Sequence, residues 1–259
     1  MAESGNRVHS IDVPADDYRR AFDIISDCHD APTVDAFREA LAEALVRRLG
    51  VENLSVFSGS TFNLVFEDSA PLTRGATARM LPEYQDRWAA HDIFGTPVAV
   101  RHLMHSSVAT LDELTAGGRL PAAANAYVRH FLDSRWRMAS AAALRLPLVG
   151  GRTALVGMFG RTPEELSPRT ITVLRLVGQQ LAPLTKRLPL DPQVRTVARL
   201  TDRQRDVLRL VADGRSNAQI AEVLCIAEDS VKKYVTRILH QTGCHSRLEL
   251  ALIARDAAL

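Results

Sequence analysis

The residues best suited to a chemical task lie on a helix predicted over Glu228–Thr242. At 3.6 residues per turn, its apolar side is formed by Val231, Tyr234, Val235 and Ile238. The opposite side is polar and basic and is formed by Lys232, Lys233, Thr236, Arg237 and His240. Long flexible cations on one side of a helix suit contacts with phosphates and with the acceptor atoms of guanine. This side therefore predicts nucleic-acid binding.

A charged helix face is usually no more than a solvent-facing surface, and that alternative applies here too. A short predicted helix, Asn217–Leu224, and a three-residue turn at 225–227 come directly before the basic helix. A short helix, a tight turn and a longer helix form a helix-turn-helix unit, whose second helix lies in the major groove of DNA. This order of elements favours DNA binding.

Three predicted helix starts in this region carry a capping box, in which a hydroxyl residue stands three positions before Gln or Glu. The pairs are Thr201 with Gln204, Ser216 with Gln219, and Ser246 with Glu249. Each pair opens an apolar periodic run. Together they predict a compact all-α domain at 199–259.

The same segment resembles the LuxR/GerE-type DNA-binding domain over about sixty residues. The residues that carry the resemblance are Leu200, Thr201, Asp202, Arg203, Val207, Leu208, Gly214, Arg215, Ser216, Asn217, Ile220, Ala221, Leu224, Ile226, Ser230, Val231, Lys232 and Gly243. The resemblance implies four helices. The third would enter the major groove of double-stranded operator DNA, and the fourth would pair two protomers of a homodimer.

Position by position, the resemblance assigns Lys232, Lys233 and Thr236 to base edges. It assigns Ser216, Asn217, Ser230, Tyr234 and Arg237 to the phosphate backbone. On a fourth helix at 246–258, it assigns a dimer face to Leu248, Ala251, Leu252 and Arg255. The alternative for these leucines is packing inside their own domain.

Several positions depart from the family pattern. Gln204 stands at a common Glu position, Tyr234 at a frequent His position, and Gln241 and Thr242 at a common Lys-Leu pair. Ala227 replaces the usual Ser at the start of the third helix, which removes a cap worth about 1 kcal/mol. Glu228 and Asp229 offset part of that loss at the positive end of the helix dipole.

The charge of residues 200–259 is almost balanced, with nine Lys and Arg residues against eight Asp and Glu residues. Weak non-specific DNA binding is expected from such a balance. It favours a dimer that contacts two half-sites about one helical turn apart.

Helices and strands are predicted to alternate in the first 190 residues. Helices are expected at 17–28, 33–49, 81–90, 121–133 and 167–187, and hairpins at 51–59 with 61–67 and at 140–148 with 153–160. This order predicts an α/β domain with a central antiparallel sheet flanked by helices. The layout resembles the GAF/PAS-like sensor class.

The chain is expected to divide into a tail at 1–15, a sensor domain at 16–187, a linker at 188–198 and the helix-turn-helix domain at 199–259. Pro189 and Pro192 favour an extended linker. The sequence argues against a phosphorylation receiver, because the clustered acidic residues of such a domain are not found, and it contains no Gly-Lys-Ser/Thr motif of an ATP-binding loop.

The sensor domain is expected to respond to a small molecule or a partner protein. Five aromatic residues are candidates for a ligand pocket, although plain core packing is the alternative: Tyr84, Trp88, Phe94, Phe131 and Trp136. The segment 83–98 is similar to the lactone-holding segment of acyl-homoserine-lactone receptors. However, its Tyr and Trp spacing differs, and Thr96 stands where those receptors have Asp before Pro97.

No metal site, cofactor or enzyme activity is predicted. His91, His102, His105 and Asp92 lack the helical spacing of a metal site, and no Ser/His/Asp or Cys/His set stands out. Cys28, Cys225 and Cys244 are expected to be reduced thiols. The chain has 46% hydrophobic and 24% charged residues, which are ordinary values for a globular protein. Because neither a signal peptide nor a membrane span is expected, a cytoplasmic protein is predicted.

The sequence thus favours a dimeric, sequence-specific transcription regulator. Three alternatives remain: a protein-binding adaptor with weak DNA binding, an acyl-homoserine-lactone-type quorum-sensing receptor, and a small-molecule hydrolase or deaminase with a regulatory tail. RNA polymerase stays open as a further partner.

Overall fold

The computed structural model describes residues 13–68, 70–116, 120–190, 196–197 and 200–257, apart from the side chains of Arg255 and Asp256. Most of the predicted tail and residues 191–195 of the predicted linker lie outside these ranges.

The N-terminal part is built around a five-stranded sheet with the order β2-β1-β5-β4-β3, in which all neighbours are antiparallel. Its strands are β1 (Asn53–Gly59), β2 (Leu72–Arg74), β3 (Val108–Thr110), β4 (Ser140–Pro147) and β5 (Thr153–Gly160). Its α-helices are α1 (Ala15–His29), α2 (Val34–Leu49), α3 (Thr77–Glu83), α4 (Pro97–Ser106), α5 (Leu111–Ala116), α6 (Ala122–Ala126) and α7 (Pro168–Thr185). The predicted fold class is confirmed.

Local signals explain where several of these elements begin and end. The Thr33 hydroxyl accepts a hydrogen bond from the Ala36 N–H at the start of α2, and Gly50 ends that helix in the left-handed conformation, at φ +68°. Ser167 caps α7 in the same way through the Thr170 N–H. The predicted second hairpin is also confirmed, because β4 and β5 pair from Ser140 with Gly160 to Pro147 with Thr153.

The predicted first hairpin, 51–59 with 61–67, is wrong. β1 pairs with β2 and β5, whereas Asn63–Glu67 forms a 3-10 helix. The chain returns so tightly that a Cβ on Gly59 would lie 2.6 Å from the Val65 nitrogen. The Asp68 carboxylate closes this loop by accepting from the Ser58 N–H at 2.8 Å.

The sheet has two apolar faces, because successive side chains of a strand point to opposite sides. Helices α1, α2 and α7 cover one face. A bidentate ion pair from Arg169 to the buried Asp17 joins α1 to α7. The other face carries an aromatic core that includes Tyr84, Tyr127 and Phe131. Both tyrosines lie where α-helical turns widen into π-helix, at Tyr84–Trp88 and Tyr127–Arg135.

The chain beyond α7 first remains on the N-terminal part. The Val34 N–H donates to the Pro189 carbonyl at 3.1 Å, and Leu188 and Leu190 pack against the core that α1, α2 and α7 cover. Val197 instead packs in the core of the C-terminal helices.

The C-terminal part is all-α, as predicted, with α8 (Asp202–Ala212), α9 (Asn217–Leu224), α10 (Glu228–Thr242) and α11 (Arg247–Asp256). Complete capping boxes open α8 and α9. At the start of α11, Ser246 accepts from the Glu249 N–H, but the Glu249 carboxylate reaches the His245 N–H instead of that of Ser246.

Candidate nucleic-acid interface and ligand cavity

Helix α10 presents its basic side to solvent. Val231, Val235 and Ile238 are buried in the helical core and fix the rotation of the helix about its axis. The opposite side, exposed along two turns, consists of Lys232, Lys233, Thr236 and Arg237. Tyr234 is half-buried against the core at the border of the two sides. This side can therefore enter a DNA groove without rearrangement of the domain.

The turn between α9 and α10 is held by two backbone features and one side-chain contact. Cys225 ends α9 in the left-handed conformation, at φ +52°. The Ile226 N–H donates to the Ala221 carbonyl at 3.0 Å. The Arg203 guanidinium reaches from α8 to the Leu224 carbonyl at 2.8 Å. These contacts set the angle between the two helices of the helix-turn-helix.

The start of α9 holds the two residues assigned to phosphate contacts there. The Ser216 hydroxyl accepts from the Gln219 N–H. The Asn217 Oδ1 accepts from Arg247 at 2.9 Å, and Arg247 also donates to the Arg215 carbonyl. Arg247 is on α11, so the fourth helix orients the beginning of the second. Desolvation lowers the pKa of Arg247.

The cations on the exposed side of α10 differ in whether they form ion pairs within the described part of the chain. The Lys232 ammonium lies 3.4 Å from an Asp229 oxygen and 3.6 Å from a Glu228 oxygen, and the hydrogen bond to Asp229 raises the pKa of Lys232. Within the part of the chain that the structure describes, Lys233 and Arg237 form no ion pair. Ser230, half-buried in the first turn, lies beside these carboxylates in sequence.

The start of α10 is uncapped by a side chain. Ala227 has the extended backbone of an N-cap, at φ −68° and ψ 144°, but no side-chain atom that can accept from the first turn. The first-turn N–H groups therefore remain available to water or to an anion.

Helix α11 divides its apolar residues between the core and the surface. Leu250 and Ile253 are buried, and Ala251 packs against them half-buried. Leu248 and Leu252 are 70% and 44% exposed. Of the residues assigned to a dimer face, these two lie free on the surface of one chain. The Arg255 side chain lies outside the described residues.

The N-terminal part contains a small cavity on the aromatic face of the sheet. Three of the five candidate aromatics line it, namely Tyr84, Phe94 and Phe131. Trp88 and Trp136 are not among its lining residues, but both contact Phe131, with ring centroids 6.0 and 6.4 Å away. An open groove of about 650 Å³ lies beside the cavity, and Asp92 and Phe66 line both spaces.

Asp92 provides the charged group between the groove and the cavity. Its Oδ1 accepts from the Phe94 N–H at 2.8 Å, and its Oδ2 accepts from the Tyr84 hydroxyl at 2.8 Å. Desolvation raises the pKa of Asp92 to about 6. Burial also raises the pKa of Tyr84 and of Tyr127, and the charge of Asp92 adds to both effects.

Several buried polar atoms near the cavity have no hydrogen-bond partner in the described part of the chain. The indole nitrogens of Trp88 and Trp136 are among them, and the Tyr127 hydroxyl, which interacts with the Asp92 carboxylate, accepts no hydrogen bond. Tyr127 is completely buried and lines the cavity together with Asp92. Sequence reasoning missed both Tyr127 and Asp92 as cavity residues. The one available signal was an Asp directly before the apolar Ile93-Phe94 pair, which favours a capped turn over a surface loop.

Thr96, which stands where the lactone receptors have Asp, caps a helix in this structure. Thr96 accepts from the Ala99 N–H as the N-cap of α4, and its hydroxyl donates to the Ile93 carbonyl. It therefore has a capping role at the position where those receptors have Asp.

Among the described residues, no group of three His, Cys, Asp or Glu side chains is arranged to hold a metal ion. His91 and His105 are exposed, and His102 is half-buried on α4. No helix in the described ranges is both long and apolar enough to cross a membrane. The three cysteines are free.

Residues 198–254 match the GerE family, described as bacterial regulatory proteins of the luxR family. The transcriptional activator DevR/DosR of Mycobacterium tuberculosis is 40% identical over 57 residues, which are 22% of this chain and 26% of that protein. The nitrate/nitrite response regulator NarL of Escherichia coli is 43% identical over 58 residues, 22% of this chain and 27% of that protein. The chain thus spans about a quarter of the length of these relatives.

Two solved structures align with larger parts of the chain. Escherichia coli SdiA covers 93% of this chain and 99% of its own at 15% identity, with a TM-score of 0.39. The LBD domain of VqsR from Pseudomonas aeruginosa covers 64% of this chain and 93% of its own at 17% identity, with a TM-score of 0.40.

Proposed function

We propose, on the premise that residues 198–254 form a luxR-type DNA-binding domain, that this protein is a sequence-specific transcription regulator. The exposed basic side of α10 carries the proposal. Lys232, Lys233 and Thr236 would contact base edges, and Arg237 would contact phosphate. Ser216, Asn217, Ser230 and Tyr234 would position the domain along the backbone. A regulator of this kind would act in the cytoplasm, where the DNA is. It would act by binding DNA and not by catalysis.

We further propose that it binds DNA as a homodimer through α11. Leu248 and Leu252 form an exposed apolar pair one turn apart, which a second copy of α11 would cover. Two copies would also double the small positive charge of the domain. Two recognition helices then contact half-sites about one helical turn apart.

The N-terminal domain is proposed to bind a small molecule that changes the geometry of the dimer. The cavity and the adjoining groove support this role, together with the Tyr127 hydroxyl, whose oxygen accepts no hydrogen bond in the described part of the chain and can accept one from a ligand. The domain limits of 16–187 and 199–259 are part of the same proposal.

The test is selection of bound sequences from a random duplex pool by the full-length protein at several salt concentrations. We expect a two-fold symmetric motif, and we expect Lys233→Ala with Arg237→Ala to abolish its selection. Arg209→Ala is the matched control, because Arg209 is an exposed cation on α8 of the same domain. If the unmodified protein selected no motif, the regulator proposal would fail and the adaptor function would replace it.

A further inference from the structure

The groove leads directly to a carboxylate at the mouth of a small aromatic cavity. Asp92 lines both spaces and keeps part of its surface open. The cavity offers about 30 Å³ to water-sized groups. That space admits about two such groups and excludes an acyl chain or an aromatic ring. A ligand in the groove can therefore place only a compact head group beside Asp92.

The Asp92 carboxylate lacks a cation. It accepts hydrogen bonds from two neutral donors, the Phe94 N–H and the Tyr84 hydroxyl, and the neutral Tyr127 hydroxyl also faces it. It forms no ion pair among the described residues. A partly desolvated carboxylate without a cation is costly, and a positively charged group would compensate it.

The groove repeats the same sign of charge. Glu67 and Asp68 line it together with Asp92, and none of its described lining residues is Lys or Arg. Asp68 is already bonded to the Ser58 and Ala70 N–H groups, so its charge acts from a fixed position. A groove with this lining attracts cations and repels carboxylates and phosphates.

The cavity wall supplies two further features that suit an ammonium group. The Tyr127 hydroxyl is completely buried beside Asp92, and its oxygen accepts no hydrogen bond in the described part of the chain, so it can accept one from an ammonium group. The rings of Tyr84, Tyr127 and Phe131 lie together, with centroids 5.4–6.3 Å apart. Aromatic rings attract cations through their electron-rich faces.

We propose that the small molecule is a cationic amine, whose ammonium head enters the cavity and pairs with Asp92 while its body lies in the groove. The inference rests on the proposed function for the existence of a ligand and adds its chemical class. It also assigns Asp92 as the anchoring residue and Tyr127 as a second contact.

The experiment is calorimetric titration of the full chain, without DNA, with a panel of aliphatic and aromatic primary amines. Phenethylamine is compared with phenethyl alcohol, which has the same shape without the charge, and with N-hexanoyl homoserine lactone. We expect the amine to bind at least about tenfold tighter than the alcohol. Asp92→Asn should remove this preference. Asp86→Asn is the matched control, since Asp86 is an exposed carboxylate outside both linings, and it should keep the preference.

Tyr127→Phe provides a second variant, which removes only the hydroxyl beside Asp92 and keeps the buried ring in the core. We expect a several-fold loss of amine affinity with a cooperative unfolding curve. Equal affinity for amine and alcohol, amine preference that survives Asp92→Asn, or no amine binding at millimolar concentration would each overturn the proposal. Lactone binding without amine binding would overturn it too, yet leave small-molecule control intact. Sequence selection on DNA is measured separately, so failure of the regulator function is distinguishable.

Discussion

The Gln204 side-chain amide donates a hydrogen bond of 2.6 Å to the Gln241 Oε1. The Gln204 Oε1 accepts from the Thr201 N–H at 2.9 Å, as part of the capping box of α8. A single side chain thus closes the start of α8 and ties it to the end of α10. Gln204 and Gln241 stand at positions where luxR-type domains commonly have Glu and Lys. Both partners of the hydrogen bond in this chain are neutral.

The polarity of this pair gives the first prediction. Gln241→Lys would place a second donor against the Gln204 amide, and loss of the hydrogen bond should lower the free energy of unfolding by about 1 kcal/mol. Adding Gln204→Glu should recover most of that loss, because a carboxylate can accept from the Thr201 N–H and from the lysine together. Urea denaturation, followed by circular dichroism, measures the free energy of unfolding of the unmodified protein, the two single variants and the double variant. Additive effects of the two changes would contradict this coupling.

The C-terminal domain was the most predictable part of the molecule. The bounds of α9 and α10 match those expected, because capping boxes, turn length and apolar spacing all act over a few residues. The Gln204–Gln241 bond spans 37 positions in sequence, and in the sequence its two residues stand only as separate departures from the family pattern. Local patterns specify helices, whereas such a long-range pairing depends on their final packing.

The missing cap at Ala227 gives the second prediction. Its backbone already has N-cap geometry, so the hydroxyl of Ala227→Ser can accept from the first turn without rearrangement. We expect the free energy of unfolding to rise by about 1 kcal/mol. The measurement is hydrogen exchange of the α10 amides. Ala218→Ser, an exposed change inside α9, is the control and should not stabilise the protein. Equal protection of the α10 amides in Ala227→Ser and in the unmodified protein would show that the new hydroxyl does not cap the first-turn N–H groups.

The ion pairs of Lys232 give the third prediction. Asp229 holds the Lys232 ammonium at 3.4 Å and adds negative charge near the proposed DNA surface. Asp229→Asn should therefore increase affinity for non-specific duplex DNA several-fold and steepen its salt dependence. Fluorescence anisotropy at several salt concentrations measures both. Asp206→Asn on α8, where Asp206 pairs with Arg209, is the matched control. An equal gain from both variants would mean that only the net charge of the domain matters.

The position of Asp92 gives a prediction about pH. Its pKa rises from 3.8 to about 6 in the folded protein, so the folded state holds this proton more tightly than the unfolded state does. The contribution to stability is complete below the ordinary value of 3.8 and is lost as the pH rises through about 6. Asp92→Asn lacks this titration. Relative to the unmodified protein, it should gain about 1 kcal/mol between about pH 5 and pH 8.

Tryptophan fluorescence can follow this change in one domain, because the chain has two tryptophans, Trp88 and Trp136, and both lie in the N-terminal part. Urea unfolding at each pH gives the difference between variants. Asp86→Asn should show no such pH-dependent gain, since Asp86 is exposed and paired with Arg87. A constant difference between Asp92→Asn and the unmodified protein across this range would contradict the raised pKa.

The N-terminal domain was predicted less completely, for two physical reasons. Residues 61–67 form a short apolar run, and such a run fits a strand or a helical turn equally well by periodicity. The hydrogen bond from the Ser58 N–H to the Asp68 carboxylate and the close approach of Gly59 to the Val65 backbone favour the 3-10 helix. Asp92 and Tyr127 are 35 positions apart, and only the folded sheet brings their elements to one cavity.

The exposed pair Leu248 and Leu252 gives the last prediction. If a second copy of α11 covers these side chains, Leu248→Glu with Leu252→Glu places like charges at the centre of the interface and prevents pairing. The fold of each domain should survive, because Leu250 and Ile253 supply the buried contacts of α11. Sedimentation should then show monomers at concentrations where the unmodified protein is dimeric. Affinity for a symmetric operator should fall by at least about tenfold, since the second recognition helix no longer contributes. Affinity for a single half-site should stay unchanged.

The control for added charge is Met104→Glu, which changes an exposed apolar residue on α4. A double variant that remained dimeric would move the interface to the N-terminal domain and leave α11 as a structural helix.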